Sequence, residues 1–200
     1  MNTPSRIPDS ADIKEAQAFE NEKLDFSTSL NSILQFHPES FTLVLDVENV
    51  FIPEDLKFAA LEYNLLQKTD VHITIIGSKI ARQILKYMER LNESWTKVFL
   101  EMFHEIIHKY KFNITLLDKE FYYIEKWYDW EHRFAIIQIA QVENLDNLYK
   151  ILGMLIWEHI QAPFPHVTFF TNSTNPEKKW RWIWIYSQKE FEDLNPIKCY

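Results

Sequence analysis

Short apolar runs rich in β-branched and aromatic residues recur along the chain, and stretches of helical spacing lie between them. Ser40–Val47, Val71–Gly77, Arg133–Ala140, Pro165–Thr171 and Trp180–Tyr186 read as strands, each brief, apolar and bounded by turn-forming residues. Asn113–Leu117 and Glu120–Lys126 read as a further strand pair, followed by an aromatic, acidic turn at Trp127–His132. Pro53 stands near the start of a helix reaching about Gln67, a position that suits proline. From Lys79 to about Tyr110 apolar residues recur at helical spacing, with a break near Asn92. Leu145–His159 and a short stretch at Lys189–Leu194 are also helical. So is Phe26–Phe36, with Leu30, Ile33 and Leu34 on its apolar face. Residues 1–25 are polar, carry Pro4 and Pro8, and read as a mobile arm preceding one bilobed domain over 26–200.

The pattern repeats. A strand at 41–47, a helix at 53–67 and the strand of His72 form one unit; a strand at 133–140, a helix at 145–159 and the strand of His166 form another. The two units are nearly equal in length and alike in pattern rather than in identity. Packed about an approximate two-fold axis, they would turn equivalent faces toward one cleft.

Composition narrows the chemistry. With 200 residues, 46% of them apolar and 25% charged, the chain is long enough to bury a substantial core. Its two glycines, Gly77 and Gly153, are too few for a glycine-rich phosphate loop or a dinucleotide fingerprint. Its single cysteine, Cys199, excludes an internal disulfide and a cysteine-based zinc site. A formal net charge of −8, with no block of lysine or arginine, disfavours tight binding to long duplex nucleic acid. A small phosphate ester or a strand end needs only a few donors. No signal peptide and no run long enough to span a bilayer is evident, so a cytoplasmic protein without membrane attachment is the expectation.

The two strands that matter most are Val-His-Ile-Thr-Ile-Ile-Gly and Pro-His-Val-Thr-Phe-Phe-Thr. Each carries a histidine and, two positions later, a threonine: His72 with Thr74, and His166 with Thr168. Side chains alternate across a strand, so each imidazole shares a face with its hydroxyl while Ile73, Ile75, Val167 and Phe169 face the opposite way. The other five histidines are followed at that spacing by Glu39, Ile106, Tyr110, Phe134 and Gln161. Either histidine alone reads as a core residue satisfying local hydrogen bonds. The pair, on repeated strands, reads as chemistry.

Two His-hydrophobic-Thr motifs on strands of two similar lobes resemble the 2H phosphoesterase superfamily. That group contains RNA 2′,3′-cyclic phosphodiesterases, 2′-5′ RNA ligase-like proteins, and RNA-trimming and kinase-anchoring relatives. The match falls on His72-Ile73-Thr74 and His166-Val167-Thr168, and the flanking Pro163-Phe164-Pro165 and Phe169-Phe170-Thr171 are similar to the second motif's usual surroundings. The resemblance implies an α+β, two-lobed fold with antiparallel sheets lining a central cleft and helices outside. It implies metal-independent, cofactor-free cleavage of a cyclic phosphate or 2′-5′ phosphodiester in a small nucleotide or RNA end. His72 and His166 would serve as the base and the acid, in either order, and Thr74 and Thr168 would hydrogen-bond the non-bridging oxygens.

Other candidates surround these four. Trp182, Trp184 and Tyr186 share one face of the late strand, where they would stack a nucleobase or pack beneath a helix. Arg133 opens its strand and would reach a phosphate or make an ion pair. Two further functions stay open: a nucleotide-binding module without turnover, and a zinc peptidase built on His104-Glu105-Ile106-Ile107-His108, whose histidines have metal-ligand spacing. Oligomeric state is not encoded in any of these patterns.

Overall fold

The computed structural model describes residues 29–30, 32–48, 50–181 and 183–199. The predicted arm at 1–25 and the candidate Trp182 lie outside them. The fold is α+β. A large antiparallel sheet runs in the order β1 (Ser29–Leu30), β6 (Ile114–Tyr128), β7 (Glu131–Val142), β8 (His166–Ser173) and β4 (Leu66–Gln67), with β9 (Ile197–Lys198) also paired to β6. A small antiparallel sheet runs β2 (Ser32–His37), β3 (Thr42–Val47), β5 (His72–Ile76). Among the described residues five α-helices, α1 (Glu54–Glu62), α2 (Ser78–Met88), α3 (Glu93–Lys109), α4 (Leu145–Ile156) and α5 (Gln188–Asp193), and a 3-10 turn at Pro176–Lys178 complete the order.

The alternation read from the sequence decides which side of each strand is core. In β5 Ile73, Ile75 and Ile76 are fully buried while His72 and Thr74 remain partly open. In β8 Val167 and Phe169 are fully buried. These residues join Leu56 and Ala60 of α1, Ile84 of α2, Phe103 of α3, and Leu148 and Leu152 of α4 in one hydrophobic core. Burial of this continuous apolar face is the main stabilising term. The Tyr149 hydroxyl, buried on α4, donates to the Ile75 carbonyl at 2.8 Å and ties that helix to the strand of the other unit. A smaller cluster, Ile124, Ala135, Ile137, Ile183, Ile185 and Phe191, covers the opposite face of the large sheet.

Several expectations are corrected. The helix expected over Phe26–Phe36 is replaced, within the described residues, by β1 and β2. A turn at 38–41, with Phe41 at φ 55°, folds β2 back on β3, and the pairing His37↔Thr42 to Ser32↔Val47 outweighs a weak local helical pattern. The helix from Pro53 ends at Glu62 rather than Gln67, because Asn64 turns left-handed (φ 53°) and Leu66–Gln67 pairs with Phe170–Thr171. The break near Asn92 is an N-cap: its side chain accepts from the Trp95 amide at 3.0 Å and starts α3. Asn113–Leu117 and Glu120–Lys126 do not pair with each other. They are two parts of the single long β6, both paired with β7 across a register shift between Leu116 and Phe121.

Trp180–Tyr186 is not a strand either. Its described residues form irregular chain whose backbone is held piecemeal. Thr171 Oγ1 donates to the Arg181 carbonyl (2.8 Å), the Trp184 amide donates to Tyr128 Oη (3.0 Å), Lys126 Nζ donates to the Trp184 carbonyl (2.7 Å), and the Phe164 amide donates to the Ile185 carbonyl (3.2 Å). Among the described residues no helix is long and apolar enough to cross a membrane.

Candidate active site

The two histidine strands meet: β5, at one edge of the small sheet, lies against β8. The faces that carry the two motifs, with Lys68 and the irregular segment, enclose a cavity of about 20 Å³ lined by His72, Thr74, His166 and the buried Thr168. A volume of that size admits roughly one water. Ile183 and Trp184 close it from the other side.

Both imidazoles are anchored on the backbone two residues upstream. His166 Nδ1 lies 2.8 Å from the Phe164 carbonyl, which only accepts, so Nδ1 carries the proton, and the Ile183 backbone bonds the ring as well. The backbone of Asp70 also bonds the His72 ring. Burial pushes the pKa of His72 below the usual histidine range and the Lys68 ammonium lowers it further, opposed by Asp70, whose Oδ2 is 3.9 Å from Nδ1, and by Asp46. Burial likewise lowers His166, opposed by its backbone bonds at Phe164 and Ile183 and reinforced by repulsion from His72. That repulsion disfavours charging both imidazoles at once.

Lys68 is the residue the sequence pattern passed over. It follows β4, its amide bonds the Phe169 carbonyl at 2.8 Å, and its side chain is only 3% exposed, with Nζ 3.2 Å from Asp70 Oδ1. Pairing of β4 with β8 is what carries it to the cavity. As a lysine four positions before a histidine it has no motif to betray it.

The remaining candidates divide. Trp184 lines the cavity, and its ring lies parallel to that of Tyr186 at 6.4 Å between centroids. Tyr186 stands on the outer side, with Lys79 Nζ 4.8 Å from its ring centre. Arg133 is not among the described residues lining the cavity. It is buried in a two-pronged ion pair with Glu131, at 2.9 Å for each contact, with its guanidinium 4.2 Å from the Tyr128 ring centre. Ser173 Oγ donates to the same carboxylate at 2.7 Å, so this cluster fastens β7 to β8. His104 and His108 lie exposed on α3 with parallel rings 6.5 Å apart. Among the described residues no group of three or more histidine, cysteine, aspartate or glutamate side chains is placed to hold a metal ion, so the peptidase reading finds no third ligand.

Beyond Trp184 a groove of about 380 Å³ opens over the outer face of the small sheet, sharing His72, Thr74 and Trp184 with the cavity. The arrangement therefore offers two imidazoles, two hydroxyls and one ammonium around a point, beside a space large enough for a small organic group. No protein-family model, curated protein or solved structure matches the chain.

Proposed function

We propose that this protein is a metal-independent phosphodiesterase that cleaves a cyclic phosphate or 2′-5′ linkage in a small nucleotide or RNA end. The observation that carries the reading is the convergence of His72, Thr74, His166 and Thr168 on one cavity from strands of two different sheets. In this mechanism one imidazole, neutral, takes a proton from the attacking water as its oxygen bonds phosphorus. The other, protonated, gives its proton to the departing ester oxygen as the P–O bond breaks. The Thr74 and Thr168 hydroxyls hydrogen-bond the non-bridging oxygens, and Lys68 neutralises the charge concentrated there. Seating the phosphorus requires Trp184 to yield, since the resting cavity holds little more than a water.

The likeness to the 2H phosphoesterase fold is supported by topology. β2-β3-β5 and β6-β7-β8 have the same strand order, and a helix connects β3 toward β5 as one connects β7 to β8. A second reading, nucleotide binding without turnover, is favoured by the closed cavity and by the Ile183 backbone bonded to His166.

The test is a panel of 2′,3′-cyclic nucleotides and 2′-5′ dinucleotides, assayed with chelator present. Wild type should turn over at least one member, and His72→Ala or His166→Ala should each lower the rate by roughly two to four orders of magnitude. Ile75→Ala, on the core face of β5, serves as the folding control. It should lose about 2–5 kcal/mol of stability but keep near-normal turnover per folded molecule. Tight binding of panel members with no hydrolysis would favour the second reading. Activity lost to EDTA and restored by a divalent metal would remove the first.

A further inference from the structure

The groove beside the cavity has a chemistry of its own. It lies over alternate residues of the small sheet, with Val44 in its floor, Gln35, Thr42 and Asp46 around it, and Trp184 as the wall toward the histidines. Its volume, about 380 Å³, is at the low end of small-ligand sites, which run from roughly 300 to 1,000 Å³. No lysine or arginine is among the described residues lining it, whereas the carboxylates of Asp46 and Asp70 are. A phosphate chain would be repelled there; a neutral, flat group that donates hydrogen bonds would be held. Asp46 is also oriented: Gln35 Nε2 donates to its Oδ2, leaving Oδ1 to accept from a ligand. Across the β3–β5 ladder Asp46 stands opposite His72, so a group touching it lies directly beside the proposed reacting phosphate.

We infer that this groove takes the base of the nucleoside attached to the reacting phosphate, and that Asp46, held by Gln35, selects bases carrying an exocyclic amino group. The inference rests on the phosphodiesterase reading for its phosphate and adds a substrate class: one terminal nucleoside bearing cytosine, adenine or guanine rather than uracil. Asp70 and His72 also line this groove, and Asp70 is paired with Lys68. Asp46 therefore offers its carboxylate to the base edge, in the manner in which acidic side chains accept from the amino group of cytosine.

The experiment measures kcat/KM for the 2′,3′-cyclic monophosphates of cytidine, adenosine, guanosine and uridine. In parallel, calorimetric affinities are taken for the matching nucleoside 3′-monophosphates, which need no turnover. Wild type should favour the amino-bearing bases over uridine by about tenfold or more, the discrimination expected of a base-edge contact. Asp46→Asn, which presents an amide donor in place of one acceptor, should bring the cytidine-to-uridine ratio to about one or below in both measurements. Discrimination in binding with no hydrolysis would uphold the groove's role and remove the hydrolase reading. Hydrolysis of all four substrates at like rates would do the reverse. An Asp46→Asn variant that weakens all four equally would overturn the inference, because it would make Asp46 a partner of His72 alone.

Discussion

Replacing Gly77 by alanine should unsettle Trp184 and, through it, His72. Gly77 caps α2 with φ −85° and ψ 167°, a conformation open to any L-residue, so backbone strain does not enter. The difficulty is space. A Cβ at this position would lie 2.5 Å from Trp184 Cζ3 and 3.0 Å from Cη2, and restoring ordinary contact near 3.5 Å requires the ring to withdraw by about 1 Å. The Trp184 backbone cannot easily follow, because its amide is bonded to Tyr128 and its carbonyl to Lys126. The side chain must swing instead, at an overpacking cost of about 1–3 kcal/mol. A loss of a few tenths to about 1 kcal/mol from the poorer N-cap is separate and has no dependence on tryptophan. Denaturant unfolding of Gly77→Ala, Trp184→Ala and the double variant isolates the two. The alanine penalty should shrink to the cap effect once Trp184 is gone, leaving a coupling of about 0.5–2 kcal/mol. The same shift should admit water to His72, whose lowered pKa is caused first by burial, so its NMR titration should move up toward 6.5. Additive stabilities together with an unmoved His72 titration would refute the placement of Trp184 as the wall between groove and cavity.

Four further outcomes follow from the structure. Both imidazoles titrate below 6.5, so a pair needing one neutral and one charged member should show its kcat/KM maximum on the acid side of that value, and an optimum above about pH 7.5 would contradict it. Stability should also fall as pH drops below about 6.5, because the unfolded chain binds protons that burial denies the folded one. Lys68→Met should raise the His72 titration, lower kcat/KM by roughly ten- to a thousandfold, and change stability little, since Asp70 is exposed and left with water; an unmoved titration counts against Lys68 as the neighbouring charge. Arg133 holds the Glu131 carboxyl down to about 2, so its contribution is complete above about pH 4.5 and lost as pH falls toward 2. Glu131→Gln should flatten that acid dependence and destabilise the fold at neutrality by removing the two-pronged ion pair from a buried guanidinium, as urea unfolding at the two pH values would report.

The elements legible in the sequence are those whose own residues decide them. β5 and β8 carry runs whose two-residue alternation sets His72 and His166 against Ile73, Ile75, Val167 and Phe169 without reference to a partner, and the structure buries those four. Asn92 interrupts a long helical stripe because its side chain supplies a cap, a local event. The errors fall where a partner strand decides. Over 32–37 the alternation of Leu34 and Phe36 is too short to outvote a helical reading, and only the hairpin with β3 makes it extended. Trp180–Tyr186 has the composition and alternation of a strand, and Ile183 and Ile185 are indeed buried, but its backbone bonds go to Tyr128, Lys126 and Phe164 rather than to a ladder.

The same division explains the site. His72 with Thr74 and His166 with Thr168 were visible because two-residue spacing on a strand is both a sequence fact and a spatial one. That they line one cavity depends on β5 lying against β8, which the repeated units suggested and no single residue states. Lys68 enters through the pairing of Leu66–Gln67 with β8, Asp46 through its place opposite His72, and Trp184 through an irregular segment threaded over Gly77. Each is adjacent to the histidines only because of strand register or chain packing, and register is a property of two segments together. The residues proposed to perform acid–base chemistry can thus be written into a three-letter motif, whereas those that would set its electrostatics and its ligand are distributed wherever the sheets bring a charge or a ring alongside. That is why the Asp46 and Lys68 substitutions, rather than the histidine substitutions, distinguish this cavity from any other pair of imidazoles facing each other.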